Sequence, residues 1–221
     1  MRLDTVAIVP AGGAARRLGR RAGAGKAALA AGGLTFLDRV CTTLAAEVGR
    51  VIVVAGPTTV VPAVRVPVDV IRDSRQGAGP LAAVRDGLAH AAASAPPPRL
   101  AVLCSCDVPL LVPAVVGVLL ERADGPDVRW VLPSVDGHPQ PLVSVIAVDL
   151  LPEIENHLAH GNASLRDLAA AIERRWPGAV CRVNADDLRG VDPALDSFCD
   201  VDTPADLEAV ARRASQPPHR A

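Results

Sequence analysis

The residues that decide the fold read VAIVPAGG at positions 6–13, an apolar run that passes directly into a glycine-rich loop. The run does not alternate with polar residues, which is typical of a strand buried on both faces of a parallel sheet. Similar apolar runs follow at residues 51–55, 68–71 and 100–104. We therefore predict that these four segments are neighbouring strands in the core of one sheet.

Segments with helical periodicity separate these strands. Residues 35–48 and 79–93 carry apolar side chains three and four positions apart, as an amphipathic helix requires. Alternation of strand and helix implies right-handed crossovers and a parallel sheet that is covered on both sides. The predicted fold class is α/β, with three layers and a doubly wound, mostly parallel sheet.

The same alternation continues, less regularly, after residue 107. It predicts helices at residues 113–122, 150–158, 164–175 and 203–213, and strands at residues 128–132, 142–147 and 180–183. Thr203 is expected to cap the last helix, with Pro204 in its first turn. We predict a single domain over residues 1–213 and a disordered tail over residues 214–221.

Length and composition narrow the class of protein. A chain of 221 residues that is 50% hydrophobic can fill a real core, which excludes a disordered or fibrous protein. The net charge of -1 gives no reason to expect a nucleic acid or an anionic membrane as the main partner. The chain contains neither an apolar run of the roughly 20 residues that a membrane helix needs nor a secretory signal core. We expect a cytoplasmic protein whose five cysteines, an odd number without a C-x-x-C pair, are reduced thiols.

Ligands of open parallel sheets bind outside the carboxyl ends of the strands, so the loops after the strands are the candidate sites. The first loop contains glycines, whose backbone N–H groups can close on a phosphate, and it ends at Lys26. Lys26 is the only lysine among 23 lysine and arginine residues, which indicates a position where a compact ammonium is needed. The spacing of the glycines matches neither a Walker loop nor a dinucleotide-binding fingerprint.

Two aspartates follow later strands of the predicted sheet. Asp73 is a carboxylate that could pair with the imino and amino groups of a base, and Gly79-Pro80 begins a helix whose N–H groups would face a ligand. Asp107, after the fourth strand, could hold Mg²⁺ against a triphosphate. A turn role for Asp73 and a helix-cap role for Asp107 are the structural alternatives. A zinc site on one helix face is a less favoured hypothesis, and its ligands would be Glu153, His157 and His160.

Taken in order, these motifs resemble those of one family, the MobA-like molybdenum cofactor guanylyltransferases, which are nucleotidyltransferases with a Rossmann-like sheet. The resemblance covers nearly the whole chain. It rests on the following segments: AGG at 11–13 with Arg17 and Gly19, GPLA at 79–82, CDVP at 106–109, DGHPQPL at 136–142, SLR at 164–166 and FCDVDTPADL at 198–207.

The resemblance implies transfer of GMP from GTP to the terminal phosphate of molybdopterin, with release of pyrophosphate. Mg²⁺ would be the cofactor, and transient contact with molybdoenzymes or their chaperones is a further expectation. The implied site residues are Arg17, Lys26 and Asp107 for catalysis; Ala11, Gly12, Gly13, Lys26, Asp73, Gly79 and Pro80 for the nucleotide; Gln140, Asp200 and Asp202 for the acceptor; and Asp107 and Asp202 for the metal.

The chain departs from the family pattern in two places. Lys26 lies seven residues after Gly19 and follows Gly25, where the family usually has an aspartate, and aspartates occupy positions 200 and 202, where asparagines are frequent. Transfer from CTP to the same or another small phosphate, and a catalytically silent nucleotide-binding regulator, are therefore kept as alternatives. A nicotinamide dehydrogenase is disfavoured because the fingerprint glycines are missing.

Overall fold

The computed structural model describes residues 1–12, 25–74 and 79–214. Ten strands and seven α-helices are found in this part of the chain. The strands are β1 (Arg2–Pro10), β2 (Ala30–Ala31), β3 (Leu34–Thr35), β4 (Val48–Ala55), β5 (Asp69–Arg72), β6 (Leu100–Cys104), β7 (Trp130–Val135), β8 (His138–Pro139), β9 (Val143–Ala147) and β10 (Val180–Asn184). The helices are α1 (Phe36–Ala45), α2 (Pro80–Ala92), α3 (Pro113–Arg122), α4 (Leu151–Ala159), α5 (Leu165–Arg175), α6 (Ala185–Arg189) and α7 (Pro204–Ala214).

Eight of the strands form the main sheet, in the order β10-β7-β9-β6-β1-β4-β5, with β8 paired to β7. The pairs β1–β4, β1–β6, β4–β5 and β7–β10 are parallel, which confirms the predicted mostly parallel sheet. The remaining two strands, β2 and β3, form a small separate hairpin that the sequence did not reveal. The single-domain α/β class is likewise confirmed.

Successive residues of a strand point to opposite faces of the sheet, so the apolar strands place apolar side chains on both faces. Helices cover and bury both of these faces. On β1, Ala7 and Val9 belong to the core cluster that contains Leu37 of α1, whereas Ile8 belongs to the cluster that contains Leu81 of α2. The two clusters are the two interfaces of a three-layer fold, as predicted. A Cβ added at Gly87 of α2 would lie 2.5 Å from Ile8 Cγ2, so α2 approaches β1 closely at this glycine.

One strand of the main sheet runs against its neighbours. β9 is antiparallel to both β6 and β7, between which it lies. A tight turn explains this direction: Asp136 and Gly137 have φ values of 51° and 75° and join β7 to β8 as a hairpin. Only a few residues then lead from β8 to β9, too few for the crossover that a parallel strand needs.

Most of the predicted helices and strands occur within a few residues of their expected bounds. Thr203 caps α7 as predicted, since its hydroxyl accepts a hydrogen bond from Asp206 N at 3.2 Å. Strand β8 and helix α6 were not expected from the sequence. The predicted tail overlaps α7 at Ala214, and its other residues, 215–221, lie outside the described residues. No helix in the described ranges has both the length and the apolar character needed to cross a membrane.

Candidate active site

The first candidate loop leaves the sheet at the carboxyl end of β1. Ala11 N donates to Val54 O at 2.8 Å, which extends the pairing of β1 with β4 by one residue. Gly12 follows at the surface, and a Cβ at this position would lie 3.3 Å from Gly56 N in the loop after β4. Only a residue without a side chain fits there easily, so the sequence prediction identified a position with a real steric constraint. Gly13 and Arg17 lie outside the described residues.

Lys26 lies between two carboxylates at this edge of the sheet. Its Nζ is 2.8 Å from Asp107 Oδ2 and 2.5 Å from Asp202 Oδ1. The side chains of Lys26 and Asp107 are only 16% and 18% exposed, and that of Asp202 is 40% exposed. Lys26 and Asp107, expected in catalysis, and Asp202, expected with Asp107 at the metal, therefore form one partly buried ion-pair cluster.

Three different elements bring these side chains together. Lys26 begins a short 3-10 turn, held by a hydrogen bond from Leu29 N to Lys26 O at 3.1 Å. Asp107 follows β6, and Asp202 lies two residues before the first residue of α7. Val201 N donates to Asp107 O at 3.0 Å, which ties the segment after β6 to the closing segment. The two carboxylates thus face Lys26 because their backbones are joined next to it.

Asp206 fixes the backbone at Asp202, a function that the sequence analysis missed. Its Oδ2 accepts hydrogen bonds from Asp202 N at 3.1 Å and Thr203 N at 2.7 Å. The hydrogen bonds with Thr203 are the main reason that the pKa of Asp206 is lowered. The signal was present in the sequence, because a threonine followed three positions later by an acidic residue is a capping box.

The electrostatics of the cluster favour a charged lysine. Burial by itself lowers the pKa of Lys26, but the hydrogen bonds and charges of Asp107 and Asp202 outweigh this effect, so the pKa is raised. Asp200 belongs to the same electrostatic environment. Burial, followed by the charges of Asp107 and Asp202, raises the pKa of its carboxyl group. Asp200, expected on the acceptor side, is therefore close enough to Asp107 and Asp202 for their charges to act on its carboxyl group.

The predicted base-reading residues lie at the ends of β5 and α2. Asp73 continues β5, with its N donating to Ala55 O at 2.8 Å, and Gly79, at a φ of 83°, caps α2 just before Pro80. Residues 75–78, which join the two, lie outside the described residues. Both ends are at the same edge of the sheet as Gly12, because β5 and β4 are parallel and α2 starts the crossover that returns to β6.

A second missed residue, Asp86 of α2, holds the turn after Asp73. Its Oδ2 accepts a hydrogen bond from Ser74 N at 2.8 Å and its Oδ1 one from Ser74 Oγ at 3.2 Å. Arg85 also donates to Ser74 Oγ, at 2.9 Å. No local pattern marks Asp86 in the sequence, because an acidic residue in the middle of an amphipathic helix is usually a solvated one.

Gln140 lies in the connection between β8 and β9. Its Nε2 donates to His138 O at 3.3 Å, and its backbone N donates to Pro133 O at 2.8 Å. The segment also contacts the loop that leads to Asp107, since Ser105 N donates to Leu142 O at 2.9 Å. Gln140 is therefore at the same edge of the sheet as the ion-pair cluster, the edge formed by the carboxyl end of β6.

The zinc hypothesis on α4 finds no support. Among the described residues, no group of three or more histidine, cysteine, aspartate or glutamate side chains is arranged to hold a metal ion. Glu153 instead pairs with Arg175 at 3.5 Å, and His160 Nδ1 lies 2.8 Å from Asn156 O.

All five cysteines are free thiols in the structure. Burial is the main reason that the pKa of Cys41 and that of Cys106 are raised to about 12, and it raises the pKa of Cys104 as well. These three thiols are therefore protonated near neutral pH and are poor nucleophiles.

Two relatives are similar to this chain over nearly its full length. A "Probable molybdenum cofactor guanylyltransferase" of Mycobacterium avium is 33% identical over 212 residues, which cover 95% of this chain and 96% of the relative. A protein of the same name from Methanosarcina acetivorans is 31% identical over 215 residues, which cover 92% and 88% of the two chains.

Solved structures share the fold at lower identity. The molybdopterin-guanine dinucleotide biosynthesis protein A of Archaeoglobus fulgidus has a TM-score of 0.73 at 22% identity, with 96% of this chain and 98% of that chain covered. A cytidylyltransferase acting on 2-C-methyl-D-erythritol 4-phosphate, from Thermus thermophilus, has a TM-score of 0.67 at 19% identity and coverage of 98% and 100%. A Mycobacterium tuberculosis protein solved in complex with manganese has a TM-score of 0.59 at 16% identity and coverage of 96% and 100%.

A family model adds to these likenesses. The model described as "MobA-like NTP transferase domain" matches residues 7–176, the range that contains Gly12, Lys26, Asp73, Gly79 and Asp107. With this match and the two relatives above 30% identity, the chain belongs to the MobA-like NTP transferase family, whose members are nucleotidyltransferases.

Proposed function

We propose that the protein transfers GMP from GTP to the terminal phosphate of molybdopterin, or of its molybdenum-loaded form, and releases pyrophosphate. The observation that carries this proposal is the cluster in which Lys26 contacts Asp107 and Asp202 at the carboxyl edge of the sheet. A lysine and two carboxylates that converge at a ligand-binding edge suit a reaction between phosphates. The named relatives supply the substrate class.

The reaction requires positioning and neutralisation of charge more than acid–base chemistry. An oxygen of the acceptor phosphate attacks the α-phosphorus of GTP. The bond from the α-phosphorus to the oxygen that bridges to the β-phosphorus breaks, and its electron pair leaves with pyrophosphate. Negative charge therefore grows on the departing phosphates, and Lys26 and Arg17 are the residues that we assign to stabilise it.

The donor set suits a divalent metal, for which we propose Mg²⁺. Asp107 and Asp202 each place a carboxylate oxygen within 2.8 Å of one nitrogen atom, so both can reach a single cation. One or two carboxylates completed by phosphate oxygens are the usual protein ligands of Mg²⁺. When bound, the metal would neutralise charge on the triphosphate and orient it.

The remaining residues are assigned to the two substrates. We assign the loop of Ala11, Gly12 and Gly13 to the triphosphate, with the glycine N–H groups as donors because Ala11 N already donates to Val54 O. Asp73 and the Gly79-Pro80 start of α2 are assigned to the guanine base. The described residues among them, Ala11, Gly12, Asp73, Gly79 and Pro80, support these assignments by their common position at the carboxyl edge of the sheet. Gln140, Asp200 and Asp202 are assigned to the acceptor, and delivery of the product to a molybdoenzyme or its chaperone completes the proposal.

The test is release of pyrophosphate, measured with Mg²⁺, molybdopterin and each of the four nucleoside triphosphates. Release with GTP is expected, with a loss of about a hundredfold or more in Lys26→Ala and in Asp107→Ala, because each change removes a partner of the reacting phosphates. Arg174→Ala is the matched control: Arg174 is an exposed residue on α5, and its removal should leave the rate within about twofold of wild type.

The alternatives give different results in the same assay. A preference for CTP over GTP at equal concentration would contradict guanylyl transfer and support the cytidylyl alternative. Nucleotide binding without release of pyrophosphate would support a silent regulator instead.

A further inference from the structure

The contact between Lys26 and its two aspartates places a cation where the proposed metal would have to bind. Nζ lies 2.8 Å from Asp107 Oδ2 and 2.5 Å from Asp202 Oδ1. Mg²⁺ contacts carboxylate oxygens at about 2.0–2.1 Å, so a metal bridging the same two oxygens would occupy much of the space that Nζ occupies. Two cations cannot take this position together.

The lysine side chain is suited to exchange, whereas the backbone segments that carry the two carboxylates are held in place. Asp107 and Asp202 belong to backbone segments joined by the hydrogen bond from Val201 N to Asp107 O, and Asp206 caps the second segment. Lys26 is a single charge at the end of a flexible four-carbon stem, and its ammonium can take oxygen acceptors in any direction. Its backbone turn can therefore stay in place while Nζ moves from the carboxylates to another anion.

We propose that Lys26 is an exchangeable counter-ion of the metal site. In the nucleotide-free protein its ammonium competes with the divalent metal for Asp107 and Asp202 and keeps the affinity for free metal low. This inference rests on the proposed function in one respect: the triphosphate of the incoming nucleotide is the anion that takes over the ammonium. The metal then binds together with the nucleotide rather than before it, and Lys26 reaches the phosphates in the same step.

In this role Lys26 opposes the binding of the metal that the reaction needs. A purely catalytic lysine would leave the affinity for free metal unchanged when it is removed, apart from its general effect on the charge of the protein. If the lysine competes with the metal, the affinity for free metal is low in the wild type and rises in a variant that lacks the lysine. The two roles therefore differ in a binding measurement that contains no nucleotide.

The test is a titration of the nucleotide-free protein with Mn²⁺, followed by the electron paramagnetic resonance signal of the free ion. Lys26→Met removes the ammonium and keeps most of the stem. We expect it to bind Mn²⁺ about tenfold or more tightly than wild type, a coupling in the usual range for two linked sites. Arg174→Met removes one positive charge far along the chain on an exposed face of α5, and it should stay within about twofold of wild type.

Two further variants connect the effect to this cluster. Lys26→Gln, also neutral, should bind Mn²⁺ more tightly than wild type, and it serves as the measurement if the methionine variant folds poorly. The double variant Lys26→Met/Asp107→Asn should lose the tightened binding. Mn²⁺ affinity that is equal or weaker in both Lys26 variants, or tight binding that survives in the double variant, would overturn the proposal. Because the titration contains neither GTP nor acceptor, a failure of the proposed transfer reaction would not affect its outcome.

Discussion

The contact between α2 and β1 leads to a prediction that one glycine-to-alanine change destabilises the protein while the same change in another helix stabilises it. A Cβ at Gly87 would lie 2.5 Å from Ile8 Cγ2 and 3.1 Å from both Cγ1 and Cδ1. Ile8 is fully buried and cannot move into solvent. At Gly117 of α3, by contrast, an added Cβ has no atom within 4 Å.

The magnitudes follow from these distances. Overpacking a core costs about 1–3 kcal/mol, and the preference of a helix for alanine over glycine returns about 1 kcal/mol. A contact of 2.5 Å with a fully buried side chain places the overpacking cost in the upper part of this range, at about 2–3 kcal/mol, so Gly87→Ala should lower the free energy of unfolding by about 1–2 kcal/mol. Gly117→Ala has only the favourable contribution and should raise it by about 0.5–1 kcal/mol.

The assay is urea denaturation of both variants and the wild type, followed by circular dichroism. A third comparison tests the cause: Ile8→Ala removes all three atoms that the new Cβ would meet. The double variant Gly87→Ala/Ile8→Ala should therefore lose less unfolding free energy than the sum of the two single losses, by the overpacking cost of about 2–3 kcal/mol. A Gly87→Ala variant as stable as wild type, or losses that simply add, would refute the close-approach argument.

Three further predictions concern buried groups and charge. With a thiol reagent at pH 8, the native protein should show at most two reactive cysteines, Cys181 and Cys199, and the denatured protein all five. Ser144→Ala should lower the free energy of unfolding by about 1–3 kcal/mol, because buried Trp130 Nε1 would lose its hydrogen-bond acceptor at 3.0 Å. Urea denaturation measures this loss, and an unchanged midpoint would contradict the prediction. Hydrogen bonds from the backbone lower the pKa of Glu173, so the stabilisation that it provides is present above its ordinary value of 4.5 and is lost as the pH falls below it. Glu173→Gln should show a shallower loss of stability below about pH 4.5 than wild type, and parallel curves would argue against the assignment.

Hydrophobic periodicity was enough to predict the central part of the sheet. The strands β1, β4, β5 and β6 are apolar runs, and amphipathic helices connect β1 to β4 and β5 to β6. This pattern has few compact solutions other than a parallel sheet between two helical layers. The reversed direction of β9 was not predicted. Its apolar run looks the same in either direction, and only the tight turn at Asp136 and Gly137 decides which way the chain returns.

The sequence also named residues of the site, because loops after parallel strands are where ligands bind. It did not show what those residues contact. Lys26 was expected at a phosphate and Asp107 at a metal, yet the two form an ion pair with each other and with Asp202. The supporting residues Asp86 and Asp206 were missed, since each acts by holding a neighbouring turn rather than by carrying a motif.

What the sequence by itself determined is therefore the pattern of strands and helices and the loops that carry the chemistry, because both depend on residues close together in the chain. The tertiary structure alone decided the cluster. Lys26 is separated from Asp107 by 81 positions and from Asp202 by 176, and no local pattern encodes a contact at such a distance. The cluster forms because the sheet places β1 beside β6, so that the loops after these two strands are neighbours. The hydrogen bond from Val201 N to Asp107 O then holds the segment before α7 next to the loop after β6.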